Sequence, residues 1–123
     1  MTTPDNQPVA VFNVFLTKHA QKEFSALPIS LQAATADVIA ELKTYGNQLT
    51  EPEVKSLQNG LKELRAKSRE GISRSFFFFM AGEQAYIVHI FQKKSQKIPK
   101  QNLELALERM KKLKQELENG KRS

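Results

Sequence analysis

The chain has 123 residues, of which 40% are hydrophobic and 26% are charged, and it contains no cysteine. This length and composition are typical of one globular domain with a single core. The absence of cysteine excludes disulfides and thiolate zinc sites and favours a reducing, cytoplasmic location. The longest apolar run, residues 76–80, is too short to cross a membrane, which takes about 20 residues.

Positive charge is concentrated in the second half of the sequence. Residues 55–100 contain ten Lys or Arg and three acidic residues, whereas residues 1–54 contain three basic and six acidic residues. Clustered Lys and Arg favour a polyanionic partner because they neutralise phosphates and release counterions. A solvated basic surface, or a patch for an acidic protein, is the alternative.

The N-terminal part of the chain predicts a leader, a strand and a short helix. Residues 1–8 are polar with two prolines, which indicates a disordered leader rather than a signal peptide. Residues 9–16 are β-branched and aromatic, which favours a first strand buried on both faces. After a potential N-cap, Thr17, the apolar residues Ala20, Phe24 and Leu27 recur at helical spacing until Pro28.

A second, longer helix is predicted from Ser30, a possible N-cap, to Gly46, a stop signal. Its apolar stripe consists of Leu31, Ala34, Val38, Leu42 and Tyr45. Residues 47–53 read as a polar loop, and the pair Asn59-Gly60 predicts a turn before a short strand over residues 61–66. The two helices together predict an αα-hairpin laid over a sheet.

The strongest strand signals are residues 72–80 and 84–91, and residues 81–83 predict a hairpin between them. Side chains alternate along a strand, so the four consecutive phenylalanines cannot all face one side. Both faces of this central strand must therefore be at least partly covered.

The C-terminal part of the chain predicts a basic loop over residues 92–100 and a final helix that starts near Pro99. The apolar positions of this helix are Leu103, Ala106, Leu107, Met110, Leu113 and Leu117. Residues 119–123 predict a frayed tail. The element order predicts one α+β domain over residues 9–118: a small mixed or antiparallel sheet with the αα-hairpin and the C-terminal helix packed mainly on one face.

Three motifs in this basic region resemble those of a known family. They are Glu63-Leu64-Arg65, Arg74 at the start of a strand after a glycine turn, and His89-x-Phe91-x-Lys93-Lys94-x-x-Lys97-x-Pro99. Together with the element order, they resemble the RelE/ParE superfamily of toxins from type II toxin–antitoxin systems. The similarity is greatest to the phage-derived HigB-like branch.

The resemblance implies a RelE-like microbial RNase architecture and a ribosome-dependent mRNA endoribonuclease, or mRNA interferase, that needs no metal or other cofactor. It also implies contact with mRNA and the ribosome, and inhibition by a cognate antitoxin that is commonly a helix-turn-helix protein. The superfamily includes gyrase inhibitors and members without a measured activity. A toxin that binds a protein target such as gyrase and an inactive RNA-binding relative are therefore the alternatives.

Metal-independent RNA cleavage needs proton transfer to and from the reacting oxygens and fixed positive charge at the phosphate. Arg74 is the first candidate for the phosphate contact, with a simple ion pair to Glu70 or Glu63 as the alternative. Arg65 is the second candidate, with an ion pair to Glu63 as its alternative. Glu63 could be a general base or could only balance Arg65. His89 could transfer a proton or be a hydrogen-bonded core histidine.

A basic surface for RNA backbone is predicted at five lysines: Lys62, Lys67, Lys93, Lys94 and Lys97. A solvated loop is the alternative for the last three. Family nucleases often have a tyrosine near the C-terminus that stacks on a base, but the tyrosines here are Tyr45 and Tyr86. Phe91 is then the candidate for base stacking.

Overall fold

A computed structural model describes residues 12–93 and 98–122 of the chain. The strands are β1 (Asn13–Leu16), β2 (Val54–Ser56), β3 (Lys62–Ser68), β4 (Gly71–Met80) and β5 (Gln84–Lys93). The helices are α1 (Lys18–Ser25), α2 (Ile29–Tyr45) and α3 (Lys100–Arg122), with a short 3-10 turn over Gly46–Gln48. The predicted leader, residues 1–8, lies outside the described residues, and the domain limits stay a prediction.

The five strands form one mixed sheet in the order β1-β5-β4-β3-β2. β1 runs parallel to β5, and every other pair of neighbouring strands is antiparallel. The predicted hairpin joins β4 to β5, with positive φ at Gly82 and Glu83 in its turn. The α+β class and the mixed sheet are thus confirmed.

Helices cover both faces of the sheet, and the phenylalanines of β4 show why. Phe77 packs with Leu42 on the face that α1 and α2 cover. Phe76 and Phe78 point the other way and pack with Ala106 of α3. The expectation that both faces of this strand are covered is confirmed. The expectation that the helices pack mainly on one face is wrong, because alternating phenylalanines need an apolar layer on each side.

Two strands differ from the expectation. β1 is an edge strand with alternating exposed and half-buried residues, not a strand buried on both faces. It ends at Leu16, because the Thr17 side chain accepts a hydrogen bond from the Ala20 N–H and starts α1 as predicted. β2 was not predicted, because Val54–Ser56 is short and has only one buried residue.

The long helix α2 ends at Gly46 as predicted, but it begins two residues earlier than expected. Pro28 stands at its N-cap, and Ser30 lies inside the helix, where its hydroxyl shares a hydrogen bond of 3.0 Å with Ser68. Tyr45 is 46% exposed and is not part of the core. The fully buried positions of this helix are Leu31, Thr35, Ile39 and Leu42.

The closing helix α3 begins directly after Pro99, as predicted. Ala106 and Met110 are its buried contacts with the sheet. It continues to Arg122 and so includes most of residues 119–123, which the sequence indicated as a frayed tail. Among the described residues, none of the helices combines the length and apolar character that crossing a membrane requires.

Candidate functional site

Strand register brings the charged motif residues together on the face of the sheet that α3 partly covers. Arg65 of β3 lies directly opposite Arg74 of β4, and Glu63 lies opposite Phe76. Paired residues on neighbouring strands, and residues two apart on one strand, point to the same face of a sheet. Because Phe76 packs towards α3, Glu63, Arg65 and Arg74 therefore lie on the α3 face. On the next strand, Phe91 lies opposite Arg74. We call Glu63, Arg65 and Arg74 the arginine cluster.

The arginine cluster is built around a buried carboxylate. Glu63 is 0% exposed, and each of its oxygens accepts a hydrogen bond from a different arginine. Arg65 Nε donates to Oε1 over 3.1 Å, and Arg74 Nη1 donates to Oε2. The two guanidinium groups supply the charge and the donors that a carboxylate needs when it is removed from water. Glu63 thus fixes the orientation of both arginines.

The two arginines differ in their access to solvent. Arg74 is only 3% exposed, and burial lowers the pKa of its guanidinium, although arginine stays charged at neutral pH. Its Nε atom has no hydrogen-bond partner among the described residues. The Arg65 side chain is 37% exposed. Arg65 is therefore the member of the cluster that an incoming anion can reach.

A cavity of about 450 Å³ opens beside Arg65, at the edge of the sheet near β2. Its lining residues are Pro52, Glu53, Arg65, Ala66, Lys67 and Ile72. The Arg65 backbone N–H donates to the Glu53 carbonyl over 2.9 Å, which ties the cavity wall to β3. Such a site can hold a phosphate group against a fixed guanidinium.

A second polar group, which we call the edge network, consists of Glu23, His89, Asn102 and Arg109. It joins α1, β5 and α3 at the side of β5 that β1 leaves uncovered after Leu16. The Ile90 N–H donates to Glu23 Oε1 over 2.9 Å, and Arg109 donates to the Val88 carbonyl over 2.9 Å. The network therefore completes the hydrogen bonding of a strand edge.

His89 is buried in this network and uses both ring nitrogens. Nδ1 lies 3.0 Å from Glu23 Oε2, and Nε2 lies 2.8 Å from Asn102 Nδ2. A neutral ring that donates from Nδ1 and accepts at Nε2 satisfies both contacts. This is the geometry of a hydrogen-bonded core histidine, the predicted alternative to a role in proton transfer. The ring also stacks on Phe91, with 5.1 Å between centroids.

Glu23 is the charged centre of the edge network. Partial burial by itself raises the pKa of its carboxyl group. Hydrogen bonds from His89, the Ile90 N–H and Arg109 outweigh that effect and hold the pKa below its ordinary value. Arg109 Nη1 lies 3.0 Å from the same carboxylate oxygen that contacts His89.

Glu23, Asn102 and Arg109 were not predicted from the sequence as members of a polar site. Their separations along the chain from His89 are 66, 13 and 20 residues, so only tertiary packing brings them together. The one usable signal was His89 itself, a polar residue within an apolar strand.

The predicted lysines do not all lie on one surface. Lys67 lines the cavity beside Arg65. Lys62 lies opposite Phe77, on the other face of the sheet, and its Nζ donates to the Ser56 hydroxyl over 3.0 Å. Lys93 ends β5 opposite Ile72. Lys94 and Lys97 lie outside the described residues, and their role in binding RNA stays a prediction.

No metal centre is evident among residues 12–93 and 98–122, where no group of three or more His, Asp or Glu side chains is arranged to hold a metal ion. The charged residues that line the cavity beside the arginine cluster are Glu53, Arg65 and Lys67.

Comparisons with solved structures identify the fold. A chain of the toxin-antitoxin complex RelBE2 from Mycobacterium tuberculosis is 16% identical, with a TM-score of 0.54 over 71% of this chain and 100% of that chain. A chain of the archaeal RelE-RelB complex from Pyrococcus horikoshii OT3 is 17% identical, with a TM-score of 0.50 over 67% of this chain and 94% of that chain. Such low identities establish the fold alone.

Comparisons of sequence identify the family. No curated protein matches the chain. Residues 22–111 match the family described as phage derived protein Gp49-like (DUF891). That match spans all the described strands except β1, and it includes the whole arginine cluster and the edge network. The resemblance indicated by the sequence is confirmed at the level of family and fold: this RelE-like chain belongs to the phage-derived Gp49-like family.

Proposed function

We propose that this protein is the toxin of a toxin–antitoxin system and that it cleaves mRNA on the ribosome as an endoribonuclease. The Gp49-like family and the fold shared with chains of two RelE–RelB-type complexes support this proposal. The observation that carries it is the arginine cluster, in which a buried Glu63 holds Arg65 at the wall of an open cavity.

The proposed reaction is attack of the RNA 2′-hydroxyl on the adjacent phosphate, with expulsion of the 5′-oxygen. Negative charge grows on the phosphate oxygens in the transition state, and a fixed guanidinium stabilises it without reorganisation. Arg65 supplies that charge, and Lys67 adds to it from the same cavity. His89 and Glu63, the sequence candidates for proton transfer, are both buried and hydrogen-bonded here.

The proposed partners follow from this function. Substrate mRNA and ribosomal RNA are polyanions that match the chain's net charge of +6. A cognate antitoxin, of the helix-turn-helix type that the family resemblance implies, holds the toxin inactive in the cytoplasm. This pairing is consistent with the two structural neighbours, both of which are toxin–antitoxin complexes.

Primer extension on a reporter mRNA in a cell-free translation reaction tests the proposal. We expect new cut sites that require translation, and a large loss of cutting in Arg65→Ala. Because this change also removes a hydrogen bond from the buried Glu63, circular dichroism must show that the variant is folded. Lys43→Ala removes an exposed positive charge from α2 and serves as the matched control. Intact mRNA with the unaltered protein would contradict the proposal.

Two observations favour the alternative of a toxin that binds a protein target such as gyrase. Arg74, the first sequence candidate for the phosphate contact, is buried and already paired with Glu63. Residues 100–122 also contain no tyrosine to stack on a base. Under this alternative, the protein arrests growth while reporter mRNA stays intact, and Arg65→Ala still arrests growth.

A further inference from the structure

The geometry points to a different role for each residue of the arginine cluster, an inference that rests on the proposed function. We infer that Glu63 is a positioning residue rather than a proton-transfer group. It holds Arg65 against a single RNA phosphodiester in the cavity beside β2, while Arg74 stays buried and balances the Glu63 charge.

The first reason is that Glu63 has no open side. It is 0% exposed, and both of its oxygens accept hydrogen bonds from arginines. Leu61 and Phe76, which lie on the same face of the sheet, are also fully buried. A general base must come within about 2.6–3.2 Å of the proton that it accepts, directly or through one water. An RNA 2′-hydroxyl outside the sheet cannot approach Glu63 in this arrangement.

The second reason is that Arg74 is placed to serve Glu63 rather than RNA. Its side chain is almost as buried as the carboxylate. A buried carboxylate needs a nearby opposite charge, and Arg74 provides it from the neighbouring strand. The Arg74 Nε atom is buried as well, so this guanidinium does not present that donor to solvent.

The third reason is that Glu63 binds the Arg65 guanidinium at Nε and leaves its terminal amino groups without a partner among the described residues. Its Nε is bound to Glu63, and this is the one hydrogen bond that its side chain makes within the described residues. The terminal amino groups of the planar guanidinium are then available for the two oxygens of a phosphodiester. Arg65 and Lys67 both line the cavity where that group would lie.

Cleavage of mRNA on purified, programmed ribosomes tests the inference with Glu63→Gln, which keeps the shape and removes the charge. Poorer positioning of Arg65 lowers the maximal rate by about tenfold, because this guanidinium stabilises charge that grows only in the transition state. The dependence of the maximal rate on pH keeps its shape. Loss of the acidic limb with a maximal rate lowered about 10²–10⁴-fold is the signature of a general base and would overturn the inference.

Glu41→Gln is the matched control, because it removes an exposed carboxylate from α2, away from the cluster. Its rate, half-saturating concentration and pH dependence equal those of the unaltered protein if the effect is specific to Glu63.

NMR on the unaltered protein keeps the inference testable where Glu63→Gln fails to fold. We expect the Glu63 carboxyl carbon shift to stay constant from about pH 5 to about pH 8, where a working general base titrates. We also expect the Arg65 Nε–H to exchange more slowly than that of Arg69, an exposed arginine in the β3–β4 turn. A titrating Glu63 signal, or equal exchange rates for the two arginines, would overturn the inference.

The proposed nuclease function and the positioning role of Glu63 are tested by different measurements. If the unaltered protein leaves mRNA on programmed ribosomes intact, the proposed function is wrong. The NMR measurements still decide whether Glu63 stays charged and holds Arg65.

Discussion

Glu23 shows how one side chain can join three elements of secondary structure. Its carboxylate accepts hydrogen bonds from the Ile90 N–H of β5, from His89 and from Arg109 of α3. These donors make the ionised form more favourable in the folded protein than in the unfolded chain, which lowers the pKa despite partial burial. A lowered folded pKa couples the protonation of Glu23 to stability.

The substitution Glu23→Gln tests this coupling. The ordinary pKa is 4.5 and the folded value is lower, so Glu23 stabilises the protein above about pH 4.5 and loses that effect as the pH falls through the folded pKa. Urea unfolding at several pH values should show a deficit of about 2 kcal/mol for the variant at pH 7, which shrinks in acid. A deficit independent of pH would contradict this assignment, and Glu41→Gln is the control.

The Glu63–Arg74 pair predicts strong coupling between two substitutions. Arg74→Met removes one of the two charges that balance the buried Glu63, and should lower the free energy of unfolding by on the order of 3 kcal/mol. Adding Glu63→Gln removes the charge left without that partner, so the double variant should be more stable than the sum of the single effects. Additive effects in urea unfolding would show that the pair is not coupled.

Among single residues, the sequence predicted the arginine cluster and missed most of the edge network. Glu63 and Arg65 are two residues apart on a strand, so their shared face follows from the strand period alone. Arg74 joined them through the family motif. The burial of Arg74 depends on strand register and helix cover, which the local pattern does not reveal. Glu23 and Arg109 lie 86 residues apart and meet only through packing.

The C-terminal end of α2 and the position of His89 on β5 each depend on one local feature. α2 stops at Gly46, where φ is 53°, and a Cβ built on this glycine overlaps the ring of Phe12. In the β4–β5 ladder, the register shifts between Phe76 and Phe77. This bulge places His89 opposite Phe76 and brings the ring beside α3, where Asn102 meets it.

Gly46→Ala should therefore destabilise the protein more than an alanine at another positive-φ glycine. A sparsely populated positive-φ conformation costs a non-glycine residue on the order of 1–3 kcal/mol. Overlap with Phe12 adds to that cost at Gly46. Gly82→Ala is the matched control, because φ is 80° there and its Cβ would meet open space. Equal losses of unfolding free energy in urea would exclude a role for the Phe12 contact.

The sequence predicted the type of most elements but not the side of the sheet on which each helix packs. The apolar stripe of α3 marks a buried face without saying which face of the sheet receives it. The four phenylalanines of β4 indicated that helices cover both faces, because side chains that alternate along a strand need an apolar layer on each side. β2 and the bulge have no local signature. β2 is only three residues long and gains its place through pairing with β3.

The whole molecule is a basic domain, and the proposed partner is a large polyanion. Under the proposed function, its net charge of +6 favours association with the ribosome. That attraction weakens with salt, because counterion release is less favourable at high salt. The exposed Lys67 and the half-exposed Arg65 line one cavity and add to this attraction at the proposed site. Lys62, on the opposite face, does not contribute to that cavity.

Salt dependence of ribosome binding tests this distribution of charge. Lys67→Ala should weaken binding and lower the slope of log affinity against log salt by about 1, because one phosphate contact is lost. Lys43→Ala removes the same charge from α2 and should leave the slope unchanged. Equal slopes for the unaltered protein and Lys67→Ala would show that the cavity is not an RNA contact.

The chemical nature of the cut ends on programmed ribosomes distinguishes the proposed nuclease from every alternative. Attack by the 2′-hydroxyl leaves a 2′,3′-cyclic phosphate or its 3′-phosphate product on the upstream fragment and a 5′-hydroxyl on the downstream fragment. We predict these ends with the unaltered protein and a large loss of product with Arg65→Ala. Uncut mRNA, or fragments with a 5′-phosphate, would contradict a metal-independent nuclease built on the arginine cluster.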